Sequence, residues 1–361
     1  MNNTVWIKDS VKALTRIRDA YENRTDMFRM DRNERTWPFA DEILKEIKDR
    51  INSETLTNYP EMDSIYRKMS SYLGVDYDQV YFHSGSDLVI KSVFETYIGK
   101  GDKVLMQNPS YAMYHVYACM FEADICELDY NENLEFDIDA YREKISEFKP
   151  KMVVLENPSG YVGNSYPRDK IELVIQEAHK YGALILVDEA YIDYVDSSVL
   201  DLIPKYDNLI IVRTMSKAWG LAGMRVGYAV SNKTIIAELF KVMPMHELTA
   251  ASIIAAEVML EHMDEKPGYI EDVIKVREYF ISELEKLGID AVKSDTHFVT
   301  ARLGRVVDAD AFREESHKNR YYVRRPFGQE FLKEWVRIGL IPMDDMKGFV
   351  EFLKEYIQKG K

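Results

Sequence analysis

The chain is poor in the residues that staple or stiffen small secreted proteins: of 361 residues only two are cysteine, Cys119 and Cys126, and eleven are proline. A chain of this length can bury a large core without covalent help, so two packed free thiols and a reducing compartment are expected. Positive charge is also short, with a formal net charge of −14. That argues against a nucleic-acid partner, which needs a basic face to neutralise phosphates, and against docking on an anionic membrane. No apolar run approaches the ~18–20 residues a membrane span requires. The first residues, MNNTVWIKDSVKALTRIRDAY, carry charges at Lys8, Asp9 and Lys12 and no apolar stretch of signal-peptide length. A cytoplasmic protein is expected. Internal repeats, low-complexity tracts and proline-rich linkers are not found.

What is present is the composition of an ordered globular protein, 46% hydrophobic and 30% charged, with 24 Tyr and 15 Phe to fill an aromatic-rich core. The length exceeds the ~250–300 residues at which one core usually stops growing, so two domains are expected. In DEILKEIKDRI, residues 41–51, Ile43, Leu44, Ile47 and Ile51 share one helical stripe. Residues 83–114 read as a Gly/Ser turn opening a helix at Ser86-Asp87, then a strand near 103–106. Strand and helix patterns then alternate: strands at 151–155, 183–187 and 209–213, with a helix at 169–181. Such alternation indicates a mostly parallel, twisted sheet covered on both faces. After Pro244 come a long helical region, about 249–287, strand-like HFVTARLG and YYVRRPFG, then WVRIGLI and a closing helix. These form a smaller α+β domain.

Ligands of open α/β sheets sit beyond the strand C-termini, where Asn157, Asp188 and Lys217 fall. The stretch RTMSKAWGLAGMRVGY, residues 213–228, offers Lys217 between Thr214, Ser216 and the trailing Arg225. LILVDEAY, residues 184–191, ends a short apolar run at Asp188 with Tyr191 beyond it. A cofactor that forms an imine with lysine, carries a phosphate and needs its ring nitrogen protonated asks for these groups, and pyridoxal 5'-phosphate is that cofactor. A carboxylate at the rim of a buried strand needs a cationic partner, which a protonated pyridine supplies. Ser86 and the amides of Gly85 to Asp87 open a helix, an anion site by dipole and free N–H groups. Tyr111 is placed to stack on the ring.

The motifs RNE (32–34), NYP (58–60), GSD (85–87), NPSYAMY, VDEAY, TMSKAWGLAGMRVGY and VRIG make the chain resemble a fold-type I pyridoxal-phosphate enzyme of the class I/II aminotransferase family, most closely its histidinol-phosphate aminotransferase branch. The resemblance implies a large domain with a mostly parallel seven-stranded sheet covered by helices, at 46–245, and a smaller α+β domain at 246–361. Residues 1–45 would join the small domain and the dimer interface. It further implies Lys217 as the Schiff-base lysine, Asp188 as pyridinium partner and Tyr191 as donor to the phenolate oxygen. Ser86, Thr214, Ser216 and Arg225 match phosphate ligands. Tyr59 resembles a tyrosine that reaches the phosphate of the neighbouring subunit, which implies a homodimer. Arg337 matches the arginine that holds a substrate carboxylate, Arg324 lies where that branch binds a substrate phosphate, and Asn33 belongs to the substrate side.

Three segments depart from the family pattern. ENPSGYVGN, residues 156–164, replaces the loop whose asparagine bonds the phenolate oxygen, placing Gly160 in register with that asparagine and leaving Asn157 as the alternative donor. PMHEL, residues 244–248, brings His246 or Glu247 toward the pocket, and Leu88 stands where an acidic residue usually follows GSD. Transamination is the expected chemistry. Decarboxylation of a phosphorylated amino acid of the serine or threonine phosphate type is the alternative, and a non-catalytic cofactor-binding descendant a minor one.

Overall fold

Residues 153–155 and 184–187 are apolar at every position, and a strand without a polar face must be covered on both sides. In the computed structural model, which describes residues 6–12, 14 and 24–359, these runs lie at the centre of a seven-stranded sheet. The strands in chain order are β1 (Phe28–Met30), β2 (Val80–His83), β3 (Lys103–Asn108), β4 (Asp124–Asp129), β5 (Met152–Glu156), β6 (Leu184–Asp188), β7 (Leu209–Thr214), β8 (Gly227–Ser231), β9 (Phe298–Ala301), β10 (Tyr321–Val323) and β11 (Val336–Gly339). The large sheet runs β2-β8-β7-β6-β5-β3-β4. Only β8 is antiparallel to its neighbours. Two further pairs stand apart, β1 parallel to β10 and β9 antiparallel to β11.

Alternate residues of each central strand enter different cores, as a period of two demands. Leu105, Val153, Ile185 and Ile211 pack with the helices Asp63–Leu73 and Arg168–Lys180 on one face. Met106, Val154, Leu186 and Ile210 pack on the other with Ser86–Tyr97 and Lys233–Phe240. Each fully buried aliphatic side chain contributes roughly 1.5–3 kcal/mol of transfer free energy, so the sheet is the stiffest part of the molecule. A third core, from Met30 and Tyr269 to Ile357, packs β9 and β11 with the helices Glu265–Lys286 and Met343–Lys359.

The long helical region expected over about 249–287 consists of two helices, Ala250–Glu261 and Glu265–Lys286. Val258 and Met259 of the first pack into the sheet's core, while Val273 and Phe280 of the second pack into the third core. One straight helix cannot face both, and Pro267 is tolerated in the first turn of the second. Apolar packing therefore changes over near Asp264, later than residue 246, because Leu248 and Ile253 still belong to the sheet. Cys119 and Cys126 are free and half-buried.

Candidate active site

The strand ends β5, β6 and β7 open into a cavity of about 320 Å³, with β11 on the far side. Asp188, the last residue of β6, is buried. Its Oδ2 accepts from Tyr114 Oη at 2.6 Å and its Oδ1 from the Ala190 amide at 2.9 Å. Burial lifts its pKa to about 6; those two bonds and Lys217 act the other way, and Asp87 adds to the rise. A carboxylate so placed is stabilised by a cation brought into the cavity. Tyr114, fully buried against it, is held far above the ordinary phenol range, first by burial and then by Asp188. It is a donor only.

Lys217 follows β7 by three residues and reaches back across the cavity, donating to the Asn33 carbonyl at 3.1 Å and lying 5.5 Å from the Tyr191 ring centre. Tyr191 Oη accepts from Asn33 Nδ2 at 2.8 Å, and the carboxamide oxygen of Asn33 is buried without a partner. Behind Tyr191 the ring of His297 is sandwiched against Tyr194, with centroids 5.6 and 5.3 Å away. Burial drives His297 down to about 3, so it is a neutral packing element.

The anion seat is built where the helix Ser86–Tyr97 begins. Gly85 has φ 89°, and a Cβ there would lie 2.3 Å from Arg225 Nη2. Gly227, the first residue of β8, comes so close from beneath that a Cβ would lie 2.0 Å from the Ser86 amide nitrogen. Only glycine permits either approach. Arg225 lies 3.4 Å from Ser216 Oγ and 3.6 Å from Asp87 Oδ2, and its side chain is 47% exposed. Free amides, two hydroxyls and a guanidinium converge on one point, as a phosphate requires. Tyr111 stands beside it, its hydroxyl donating to Asp87 at 2.5 Å.

Across the cavity Arg337 is buried on β11. Its Nη1 donates to the Gly160 carbonyl at 2.7 Å, while Nε has no partner. Burial first, then Arg324, lowers its pKa to about 10, so it stays charged at neutral pH. Arg324 and Arg337 flank the Tyr161 ring at 5.6 and 5.7 Å. Two guanidiniums on one wall face a lysine and a carboxylate on the other.

Comparison with known proteins agrees with this arrangement. The family model described as aminotransferase class I and II matches residues 25–353. The chain belongs to this family. A histidinol-phosphate aminotransferase of Thermoanaerobacter pseudethanolicus is 33% identical over 76% of this chain and 78% of its own length. One from Methanocaldococcus jannaschii is 30% identical over 92% and 90%. Among solved structures, histidinol-phosphate aminotransferase from Sinorhizobium meliloti in complex with pyridoxal-5'-phosphate superposes with TM-score 0.88 over 100% of both chains, at 19% identity. L-threonine-O-3-phosphate decarboxylase from Porphyromonas gingivalis does so at 0.78, covering 91% of this chain and 99% of its own, at 21% identity. Those two show a shared fold. The protein is a class I and II aminotransferase, and the cofactor expected for its cavity is pyridoxal 5'-phosphate.

The residues present fit that cofactor: an anion seat that a Cβ would fill, a buried carboxylate without a cation, and a lysine between them. Lys217, Asp188, Tyr191, Ser86, Asp87, Tyr111, Thr214, Ser216, Arg225, Asn33, Arg324 and Arg337 all line the one cavity of this aminotransferase. Gly85 supports it from behind. Arg324 faces inward, whereas Arg325 lines only the adjoining surface groove.

Two expectations need correction. Asn157 does not line the cavity; its side chain accepts from the Tyr166 amide at 2.8 Å and donates to Ser197 at 3.1 Å, holding the loop from within. His246 and Glu247 stay outside the cavity lining, His246 stacking on the exposed Tyr59 with ring centroids 4.0 Å apart. Tyr59 itself is 76% exposed and lies away from the lysine's cavity in its own chain.

Sequence reading missed Tyr114, Tyr161, Gly227 and Glu156. The helical spacing of Tyr111 and Tyr114 was a usable signal for the first. Glu156 had a stronger one, since it ends an apolar strand exactly as Asp188 does.

Proposed function

We propose that this aminotransferase moves an amino group reversibly between L-glutamate and a small phosphorylated ketone, giving 2-oxoglutarate and a phosphorylated amine of the histidinol-phosphate kind. The observation that carries the reading is the facing of Lys217 and Asp188 by Arg324 and Arg337 across one cavity. The names of the curated relatives support the phosphorylated amine.

Bound in the cavity, pyridoxal phosphate supplies an aldehyde for the amine and a ring that takes up the electron pair released at the substrate carbon. Ser86, Thr214, Ser216 and Arg225 hold its phosphate. Asp188 keeps the ring nitrogen protonated, and Tyr114, as a pure donor to Asp188, favours the charged carboxylate. Tyr191, oriented by Asn33, donates to the ring oxygen. Tyr111 covers one face. Lys217 would offer the attachment amine and, as a free amine, would move the proton at the amine-bearing carbon. Arg337, whose Nε has no protein partner, would fix the donor's carboxylate, and Arg324 would take the substrate phosphate. Binding at that end fixes which bond faces the ring.

We further read the protein as a homodimer in which Tyr59 serves the neighbouring site, in keeping with its exposure. Incubating holoenzyme with histidinol phosphate and 2-oxoglutarate should yield glutamate and the corresponding phosphorylated ketone. Release of carbon dioxide from threonine phosphate or serine phosphate, without amino transfer, would replace this reading with decarboxylation. Sedimentation of holoenzyme as a monomer would remove the shared site.

A further inference from the structure

β5 and β6 are parallel and in register such that Glu156 is the Cα partner of Asp188. Both are terminal strand residues, both are buried, and both line the cavity. Two carboxyls side by side in a dry site do not both ionise readily. Asp188 has the task of balancing a ring cation. The sequence pattern gives Glu156 no task.

Its contacts do. One carboxyl oxygen accepts from the Tyr111 amide, at the start of the helix Ala112–Met120, and the other from the Gly160 amide at 2.9 Å. The same side chain thus ties the residue that covers the cofactor's face to the loop whose carbonyl holds Arg337. Gly160 makes room for it: a Cβ there would lie 3.4 Å from Glu156 Oε2 and 3.0 Å from the Tyr191 ring. An amide could not replace the carboxyl, because its NH2 would face one of the two N–H donors. A protonated carboxyl can accept both bonds and still has its O–H to direct into the cavity.

We infer that Glu156 is a positioning residue that works as an uncharged acid, pinning the Tyr111 and Gly160 backbones to the cavity wall and leaving Asp188 as the charged member of the pair. The inference rests on the reading that this cavity takes pyridoxal phosphate. The surroundings support it. Burial and then Asp188 push the Glu156 carboxyl up to about 8, against the two amides and Arg337. On its other side lies a neutral layer, Gln107 with the hydroxyls of Tyr130 and Tyr166, and no lysine. Tyr111 and Tyr114, facing it from the neighbouring helix, are both raised phenols and stay neutral. Arg337, a cation facing it, donates to the Gly160 carbonyl.

The test compares wild type with Glu156→Gln and Glu156→Asp. Infrared spectra of holo and apo protein should show a protonated-carboxyl stretch that fades as pH rises through about 8 and is absent from Glu156→Gln. Cofactor retention on dilution should weaken at least about tenfold more in wild type than in Glu156→Gln between pH 7 and about pH 9.5, because ionised Glu156 repels an anionic cofactor. Glu156→Asp, too short for both amides, should loosen cofactor at every pH while keeping the pH step. Identical pH dependence in wild type and Glu156→Gln, or no band lost in Glu156→Gln, would overturn the inference. A wild type that takes up no cofactor at any pH overturns the cofactor reading instead, and the band of the apo protein still decides the state of Glu156.

Discussion

The two walls of the cavity are built differently. The cofactor wall comes from three chain segments, 85–87, 188–191 and 214–225, each a strand end or the turn just after it, and each seated on the large sheet. The substrate wall draws on residues 32–33, 156–161, 324 and 337, which lie on a loop after β1, the end of β5, a loop after β10 and the two-stranded sheet of β9 and β11. One wall is anchored in the most extensively buried part of the molecule. The other is assembled from pieces that meet only in the folded chain. Cofactor chemistry is thus tied to a rigid platform, and substrate choice to joints between elements.

That division can be broken by experiment. Lys217→Ala should have the largest effect, lowering kcat by about a thousandfold or more, since it removes the group that moves the proton. Single-turnover measurement on cofactor-loaded protein would contradict the assignment if kcat stayed within tenfold of wild type. Asp188→Ala and Arg337→Ala sharpen the contrast. Arg337→Ala should lower kcat/KM for L-glutamate by roughly 2–5 kcal/mol, about 30- to several-thousand-fold, while leaving cofactor affinity within a few-fold. Asp188→Ala should do the reverse, loosening the cofactor. Equal damage to both readouts by either variant would mean that the walls are not separable.

Gly227→Ala comes next. Its methyl group must displace the Ser86 amide, so a loss of about 1–3 kcal/mol in stability, with weakened cofactor binding, is expected from thermal melts and titration. Asn157→Ala should cost about 1–3 kcal/mol of stability from the stranded Tyr166 amide and Ser197 hydroxyl, yet leave kcat nearly unchanged. The smallest effect concerns pH. Asp188 and Glu156 are both raised above their unfolded values, so the neutral forms favour the fold: that contribution is fully present below about pH 4 and is lost as pH rises through about 6 and about 8. The melting temperature of apo Glu156→Gln should therefore fall less than that of wild type between pH 5 and about pH 9. A parallel decline would remove Glu156 from the account.

The same contrast explains what could be read before folding. Asp188 and Tyr191 follow one apolar strand, and Lys217 and Arg225 flank one turn, so residues that cooperate in space are neighbours in sequence. The parallel sheet was legible from the fully apolar runs that become β5 and β6. Two chain-distant partnerships were not: Arg337 with Gly160, and Tyr114 with Asp188, depend on how layers stack. Asn157 was misjudged because a side chain beside a strand end can turn inward to the loop's own backbone as easily as outward to a ligand. The break near residue 262 was invisible for a related reason, since helical periodicity does not reveal which core a stripe faces.

Gly227 is hydrogen-bonded into the sheet between His83 and Thr214 while its missing side chain is what lets the Ser86 amide sit where it does. Anchor point and scaffold are therefore a single body, with no hinge between them through which the phosphate could drift relative to Lys217. A side chain added at position 227 would therefore lift the coenzyme off its base without touching the arginine side, which is held separately on β11 and the loop after β10.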